Sequence, residues 1–342
     1  MKPLSENPAH LQQLCRLLDL GTPDGDVSAV AGGFHHSMWR LTTNRGGFAI
    51  KQLANDMDMQ DAATVAQLNA TEITAYEFSH HGIPALYSLH VDRNHLQLLD
   101  GEGYLVYPWT DRTACHRNGI GEHHAVTVAS TLAHMHSSNI TVPELRDVPS
   151  FPVTAERVIE LVQLARQRNV RYSDILSDRL EDILRIVEFH APALEKLESH
   201  QVISHGDLDH KNILWNADDE PLLIDWESAR RLNPTYELCL EALDWGGITA
   251  HFDARPFTTI LRAYVDAGGR IVEDMIPATS DAIQGAWVNW LLYNVGRAVG
   301  INDTRQRAIG SGQVDLVLSA LLRMEKHCLL YTSDAADECP AV

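Results

Sequence analysis

The period of the apolar positions changes along the chain and sorts it into elements. In NPAHLQQLCRLLDLG, Leu11, Leu14, Leu17 and Leu18 share one face at helical spacing, and Gly21 supplies a stop. The pattern then shortens. VSAVAGG, SMWRLTT and GFAIKQL read as strands, with NRGG a hairpin turn between the last two. Helical spacing returns in MQDAATVAQLNATEITAYEFSHHG and stops at Gly82, before Pro84. ALYSLHV, HLQLLD and GYLVYPW read as three further strands. The first hundred or so residues therefore predict a mostly antiparallel sheet with a helix inserted after the third strand.

From about Arg112 the pattern is mainly helical, in EHHAVTVASTLAHMHSS, AERVIELVQLARQR, SDRLEDILRIVEFHAPALEKLES, DAIQGAWVNWLLYNVGRAV and VDLVLSALLRMEKH. One stretch breaks it. NILWN and PLLIDW flank the turn ADDE, which predicts a small hairpin inside the helical part. CLLYTSDAADE, from Cys328, does not continue the preceding helical pattern. It resembles the translation of a sequencing-library adapter, so residues 328–342 are expected to be a non-native tail that replaces the true C-terminus.

Composition narrows the function. The chain has 342 residues, 45% of them apolar, enough for a substantial core. A formal net charge of −19 repels phosphates and argues against nucleic acid as a partner, while suiting a cationic small ligand or a cation-bridged anionic one. Leaving out the acidic residues of the tail does not change that balance. Five cysteines without a CxxC pair point to a reducing compartment, and no apolar signal core or membrane-length window is present. The expectation is a cytoplasmic protein with no membrane partner.

The chemistry concentrates in VISHGDLDHKNILWNADDEPLLIDWE, residues 202–227. Asp207 and Asn212 lie five apart in a loop after VIS, and Asp225 ends the apolar run PLLI. A hairpin between them can bring Asn212 and Asp225 to one edge. Mg2+ takes hard oxygen ligands, often one or two from protein and the rest from phosphate and water, and an amide carbonyl with a carboxylate meets that need. Asp207 is then left to orient or deprotonate an attacking hydroxyl, which points to phosphoryl transfer. His123–His124 and His134–His136 share a helix face poorly, which weighs against zinc.

HGDLDHKN followed by LIDWE resembles the aminoglycoside phosphotransferase family, among the protein-kinase-like small-molecule kinases. The resemblance implies an α+β, bilobed protein-kinase-like fold: a nucleotide-binding sheet lobe over residues 1–106, a hinge at 107–111 and a helical catalytic and acceptor-binding lobe over 112–327. It implies Asp207 as the catalytic residue and Asn212 and Asp225 as Mg2+ ligands. It also implies a third-strand lysine on the nucleotide phosphates, Lys51, and a helix glutamate orienting it. Glu72 stands at the family's spacing, twelve residues before Pro84, with Glu77 as competitor. The phosphate-covering loop falls on GGFHHS, with Gly32, Gly33 and Ser37, although Phe34, His35 and His36 depart from the family's pattern there. LVYPWT would present backbone groups to adenine near Tyr107 and Trp109, whose side chains equally suit plain packing. His205 reads as a brace for the loop, and Glu237 stands where the family has a loop-bracing aspartate.

The implied activity is ATP-dependent phosphorylation of a small-molecule hydroxyl, with GTP as an alternative donor. A cationic aminoglycoside is the first candidate acceptor. Macrolide, choline, homoserine and sugar kinases share the build, and a catalytically silent kinase-like binder is the rival from another class. The complete set Lys51, Asp207, Asn212 and Asp225 favours an enzyme.

Overall fold

The computed structural model describes residues 2–30, 36–54, 57–116, 119–147, 152–301 and 306–328. The expected tail lies outside them apart from the backbone of Cys328. Two compact units form. One comprises Met1–Ile120, Ser137–Asp147 and Ile203–Arg230; the other comprises Gly121–His136, Val148–Val202 and the chain from Arg231 on.

In the first unit, helix α1 (Pro8–Leu17) opens on Asn7, whose side chain accepts from His10 N, with Pro8 in the first turn where a missing N–H costs nothing. Strands β1 (Ser28–Val30), β2 (Ser37–Thr43) and β3 (Gly46–Gln52) follow. Helix α2 (Ala62–His80) starts on Asp61, which accepts from Ala63 N and Thr64 N. Strands β4 (Gln97–Leu99) and β5 (Glu102–Pro108) complete an antiparallel sheet of order β1-β2-β3-β5-β4.

Period-two alternation puts successive side chains of β5 on opposite faces, and both faces are covered. Tyr104 and Val106 pack with Leu14, Leu20, Leu41 and Ile50, on the side of α1. Leu105 and Tyr107 pack with Leu53 and Leu68, on the side of α2. Each such apolar side chain contributes roughly 1.5–3 kcal/mol on burial. Lys51 lies opposite Leu105, and its neighbour Ile50 opposite Val106. The alternation that sends Ile50 into the α1 core therefore turns Lys51 to the other face.

ALYSLHV does not form the strand that its alternation predicts. Its backbone is shared among three partners. Leu86 N donates to Leu223 O, Leu89 N donates to Val106 O, and Ser88 N donates to the Glu72 side chain. No single neighbouring strand takes the whole run.

Strand β6 (Thr113–Ala114) pairs with β8 (Ile213–Trp215), which pairs with β9 (Pro221–Leu223). The β8–β9 pair is the hairpin expected in the sequence. Its turn closes on Asn216, whose side-chain oxygen accepts from Asp218 N and Glu220 N. Strand β7 (Val202–Ser204) leads into the loop before β8.

The second unit is helical: α3 (Glu122–Ser137), α4 (Ala155–Gln167), α5 (Ser173–Asp178), α6 (Leu180–Leu197), α7 (Pro234–Trp245), α8 (Ala254–Asp266), α9 (Ile276–Ala298) and α10 (Arg307–Cys328). The short strand β10 (Arg230–Leu232) precedes α7. One core joins α4, α6, α9 and α10 through Val158, Leu161, Val187, Val288, Leu291, Val314 and Val317. His136 is buried between Tyr264 OH (2.8 Å from Nδ1) and Glu237 Oε2 (2.9 Å from Nε2). Among the described residues no helix is long and apolar enough to cross a membrane.

Candidate active site

Two backbone hydrogen bonds gather the polar residues around the hairpin. Ile224 N donates to Asn212 O at 2.9 Å, and Asn212 N donates to Asp209 O at 3.0 Å. The loop after β7 is thereby tied to the end of β9. Gly206 permits that approach: its φ is +79°, and a Cβ there would fall 2.4 Å from Ser228 O. His205 is buried, its Nε2 donating to Ile224 O at 3.0 Å and its ring 4.5 Å from that of Trp226. It braces the loop.

Asn212 Nδ2 donates to Asp207 O (2.8 Å) and to Asp207 Oδ2 (3.0 Å). Both partners are acceptors, which assigns the nitrogen to that side and turns the amide oxygen to the other. Asp225 has left-handed backbone angles, φ 63° and ψ 60°, which an aspartate adopts more readily than most residues. Past this bend, a short turn over Trp226–Ser228 brings Glu227 to the same ammonium. Lys51 Nζ lies 2.7 Å from Asp225 Oδ1 and 2.5 Å from Glu227 Oε1.

These contacts set the charges. Burial disfavours the Lys51 ammonium, but the Asp225 and Glu227 carboxylates outweigh it and its pKa is raised. Burial also pushes Glu227 upward. The His36 hydrogen bond and the Lys51 charge win there and hold it at about 2. Asp207 goes the other way. Its shielded surroundings, then the nearby Asp209 carboxylate, push it up to about 6 against the pull of Lys211.

The structure does not pair Lys51 with Glu72, as the family spacing implied. Glu72 Oε1 accepts from Tyr107 OH at 2.6 Å, and Oε2 accepts from Ser88 N at 2.8 Å. Each oxygen thus serves one buried donor, and the Lys51 charge acts on the carboxylate only weakly. Burial still raises its pKa. Glu77 meets Arg93 at 3.6 Å. Tyr107 spends its hydroxyl on Glu72. Trp109 packs under the Arg40 guanidinium, 4.2 Å from the ring centroid, and its Nε1 donates to Asp111 Oδ1 at 2.8 Å. Ser37 is exposed at the start of β2, opposite Gln52. Gly32 and Gly33 lie outside the described residues.

Two residues of this cluster were not assigned to it from the sequence. In the sequence Glu227 is only the last residue of the stretch 202–227, and His36 departs from the family's pattern in the glycine loop. The available signal for Glu227 was its place two residues after Asp225.

The oxygens suit a hard cation. Asn212 presents an amide oxygen, and Asp225 gives only Oδ1 to Lys51, so together they offer the neutral and anionic donors that Mg2+ takes. The profile of the phosphotransferase enzyme family matches residues 26–275. The chain belongs to that family. It is a phosphotransferase with a kinase-like fold. Solved structures agree on the fold. A spectinomycin phosphotransferase in complex with ADP and spectinomycin aligns over 92% of this chain and 98% of its own, with 15% identity and a TM-score of 0.66. A choline kinase from Streptococcus pneumoniae aligns over 92% and 99%, with 16% identity and a TM-score of 0.59. A macrolide phosphotransferase from Brachybacterium faecium aligns over 90% and 97%, with 13% identity and a TM-score of 0.53. A search of curated proteins finds no match to the phosphotransferase.

Proposed function

We propose that this phosphotransferase moves the γ-phosphoryl group of ATP to a hydroxyl of a small cationic molecule, with an aminoglycoside as first candidate. The observation that carries the reading is the Lys51–Asp225 contact at 2.7 Å, beside the Asp207–Asn212 contact at 3.0 Å. One cluster then offers a cation for phosphate oxygens, two oxygen donors for a metal and a separate carboxylate for the acceptor. The fold likeness to a spectinomycin phosphotransferase solved with ADP supports a nucleotide donor.

In this mechanism Lys51 binds and orients the phosphates. Asn212 and Asp225 would hold Mg2+, which, when bound, offsets the negative charge of the phosphates. Asp207 accepts a hydrogen bond from the acceptor hydroxyl and aligns its oxygen on the γ-phosphorus. As the new O–P bond forms and the bond to the ADP oxygen breaks, the hydroxyl proton passes to an Asp207 carboxylate oxygen. A loose transition state demands positioning more than strong base activation, so a carboxylate is adequate. We place the enzyme in the cytoplasm, on the five cysteines without a CxxC pair.

The test is ADP release measured over aminoglycosides, macrolides, choline, ethanolamine and homoserine, with ATP or GTP and Mg2+. Turnover with aminoglycosides supports the reading in full. Turnover with another alcohol replaces the acceptor and keeps the chemistry. Thermal stabilisation by ATP without turnover on any acceptor would favour a silent binding protein.

A further inference from the structure

We propose that Glu227, held by His36, is the carboxylate that positions Lys51 for the nucleotide phosphates, while Glu72 serves to brace β5 through Tyr107. The proposal rests on the phosphotransferase reading above and specifies which residue aims its lysine.

The hydrogen bonds define each partner. His36 Nδ1 accepts from Ala54 N at 3.0 Å, so the ring proton lies on Nε2. Nε2 donates to Glu227 Oε2 at 3.1 Å, and Glu227 Oε1 meets Lys51 Nζ at 2.5 Å. His36 precedes β2 and Ala54 follows β3, at the paired ends where Ser37 faces Gln52. The chain His36–Glu227–Lys51 therefore ties the start of β2 and the end of β3 to the turn after Asp225. The three side chains are largely buried, His36 and Lys51 more deeply than Glu227. That favours one fixed geometry over a mobile surface pair.

Glu72 is held differently. Both of its oxygens serve buried donors, Tyr107 OH and Ser88 N. Among the described residues no ion pair joins Glu72 to Lys51; the lysine's charge reaches Glu72 only as the smallest of the influences on it, behind burial and the bonds to Tyr107 and Ser88. Asp225 alone cannot anchor the lysine either, because the same carboxylate is proposed to receive a cation. With Glu227 in place, Lys51 keeps a charged partner when Asp225 turns to the metal. Glu227 is a positioning residue: it acts through Lys51.

The test uses the full chain and calorimetric ATP affinity, with and without Mg2+, alongside melting temperature and ATP kinetics on whichever acceptor turns over. Glu227→Gln is expected to raise the ATP Kd and KM about tenfold, with and without Mg2+, and to change kcat less. Glu72→Gln is expected to affect ATP at least about threefold less and to act mainly on the melting temperature. His36→Ala should follow Glu227→Gln part of the way. His36→Gln, which keeps a donor toward Glu227, should return toward wild type.

Equal or greater loss of ATP affinity in Glu72→Gln overturns the proposal. So does a Glu227→Gln loss seen only with Mg2+, which would make Glu227 a metal ligand. If Glu227→Gln does not melt cooperatively, the His36 pair decides, and wild-type affinity in His36→Ala overturns the proposal. A wild type that binds no ATP overturns both readings. ATP binding with the expected variant order but no turnover supports this proposal and overturns the transferase chemistry alone.

Discussion

At the scale of single residues, Asp207 and Asp225 are the same chemical group in different surroundings. Asp207 stands with an amide and other carboxylates, whereas Asp225 stands with an ammonium. Asp207→Asn is expected to lower kcat by about 10²–10⁴, the range of a lost general base, with ATP affinity retained in calorimetry. The pH profile follows from the raised pKa of about 6. The working form is the carboxylate, so activity is present above that pKa and lost as pH falls through it. Turnover should fall roughly tenfold per unit on the acid side. A bound cation pulls the midpoint lower, so raising Mg2+ should shift the acid limb toward lower pH. Stopped-flow or ADP-release rates from pH 5 to 8 check this, each buffer held at one ionic strength. Asp225→Ala should instead weaken ATP binding chiefly when Mg2+ is present, because the carboxylate is proposed to share the metal with the phosphates. Equal affinity in wild type and variant at saturating Mg2+ would remove the metal role.

At the scale of elements, the pattern of β2, β3 and β5 was legible because each alternates strictly or is buried on both faces. ALYSLHV alternates as well, yet its hydrogen bonds go to the Glu72 side chain, to Leu223 and to Val106. Alternation reports which side chains point inward and leaves open whether one strand lies alongside to take the backbone. Side-chain caps fix helix starts. Asn233, which opens α7, accepts from Thr235 N and Tyr236 N while its Nδ2 donates to Ser199 O. Asn233→Ala removes the cap and takes its donor from the Ser199 carbonyl. A loss of about 1–2 kcal/mol is expected, measured by urea denaturation.

At the scale of the whole molecule, a net charge of −19 makes acceptor binding depend on ionic strength if the acceptor is cationic. Raising salt should then raise the acceptor KM with little change in kcat, the mark of lost uniform binding. A flat KM would favour an uncharged alcohol. The sequence by itself determined a strand-rich first part and a mainly helical second part, the hairpin of residues 212–226 and the candidacy of Lys51, Asp207, Asn212 and Asp225. These follow from local periodicity and from a motif whose parts lie within a few residues of one another. Only the tertiary structure decided that Ile203–Arg230 falls in one compact unit with Met1–Ile120. It alone also decided which carboxylate meets Lys51. Glu72 and Glu227 are both acidic residues at plausible spacing, and spacing cannot show that Tyr107 and Ser88 already occupy one of them. That choice is made by competition among donors brought together from distant parts of the chain, and such competition exists only once the chain has folded.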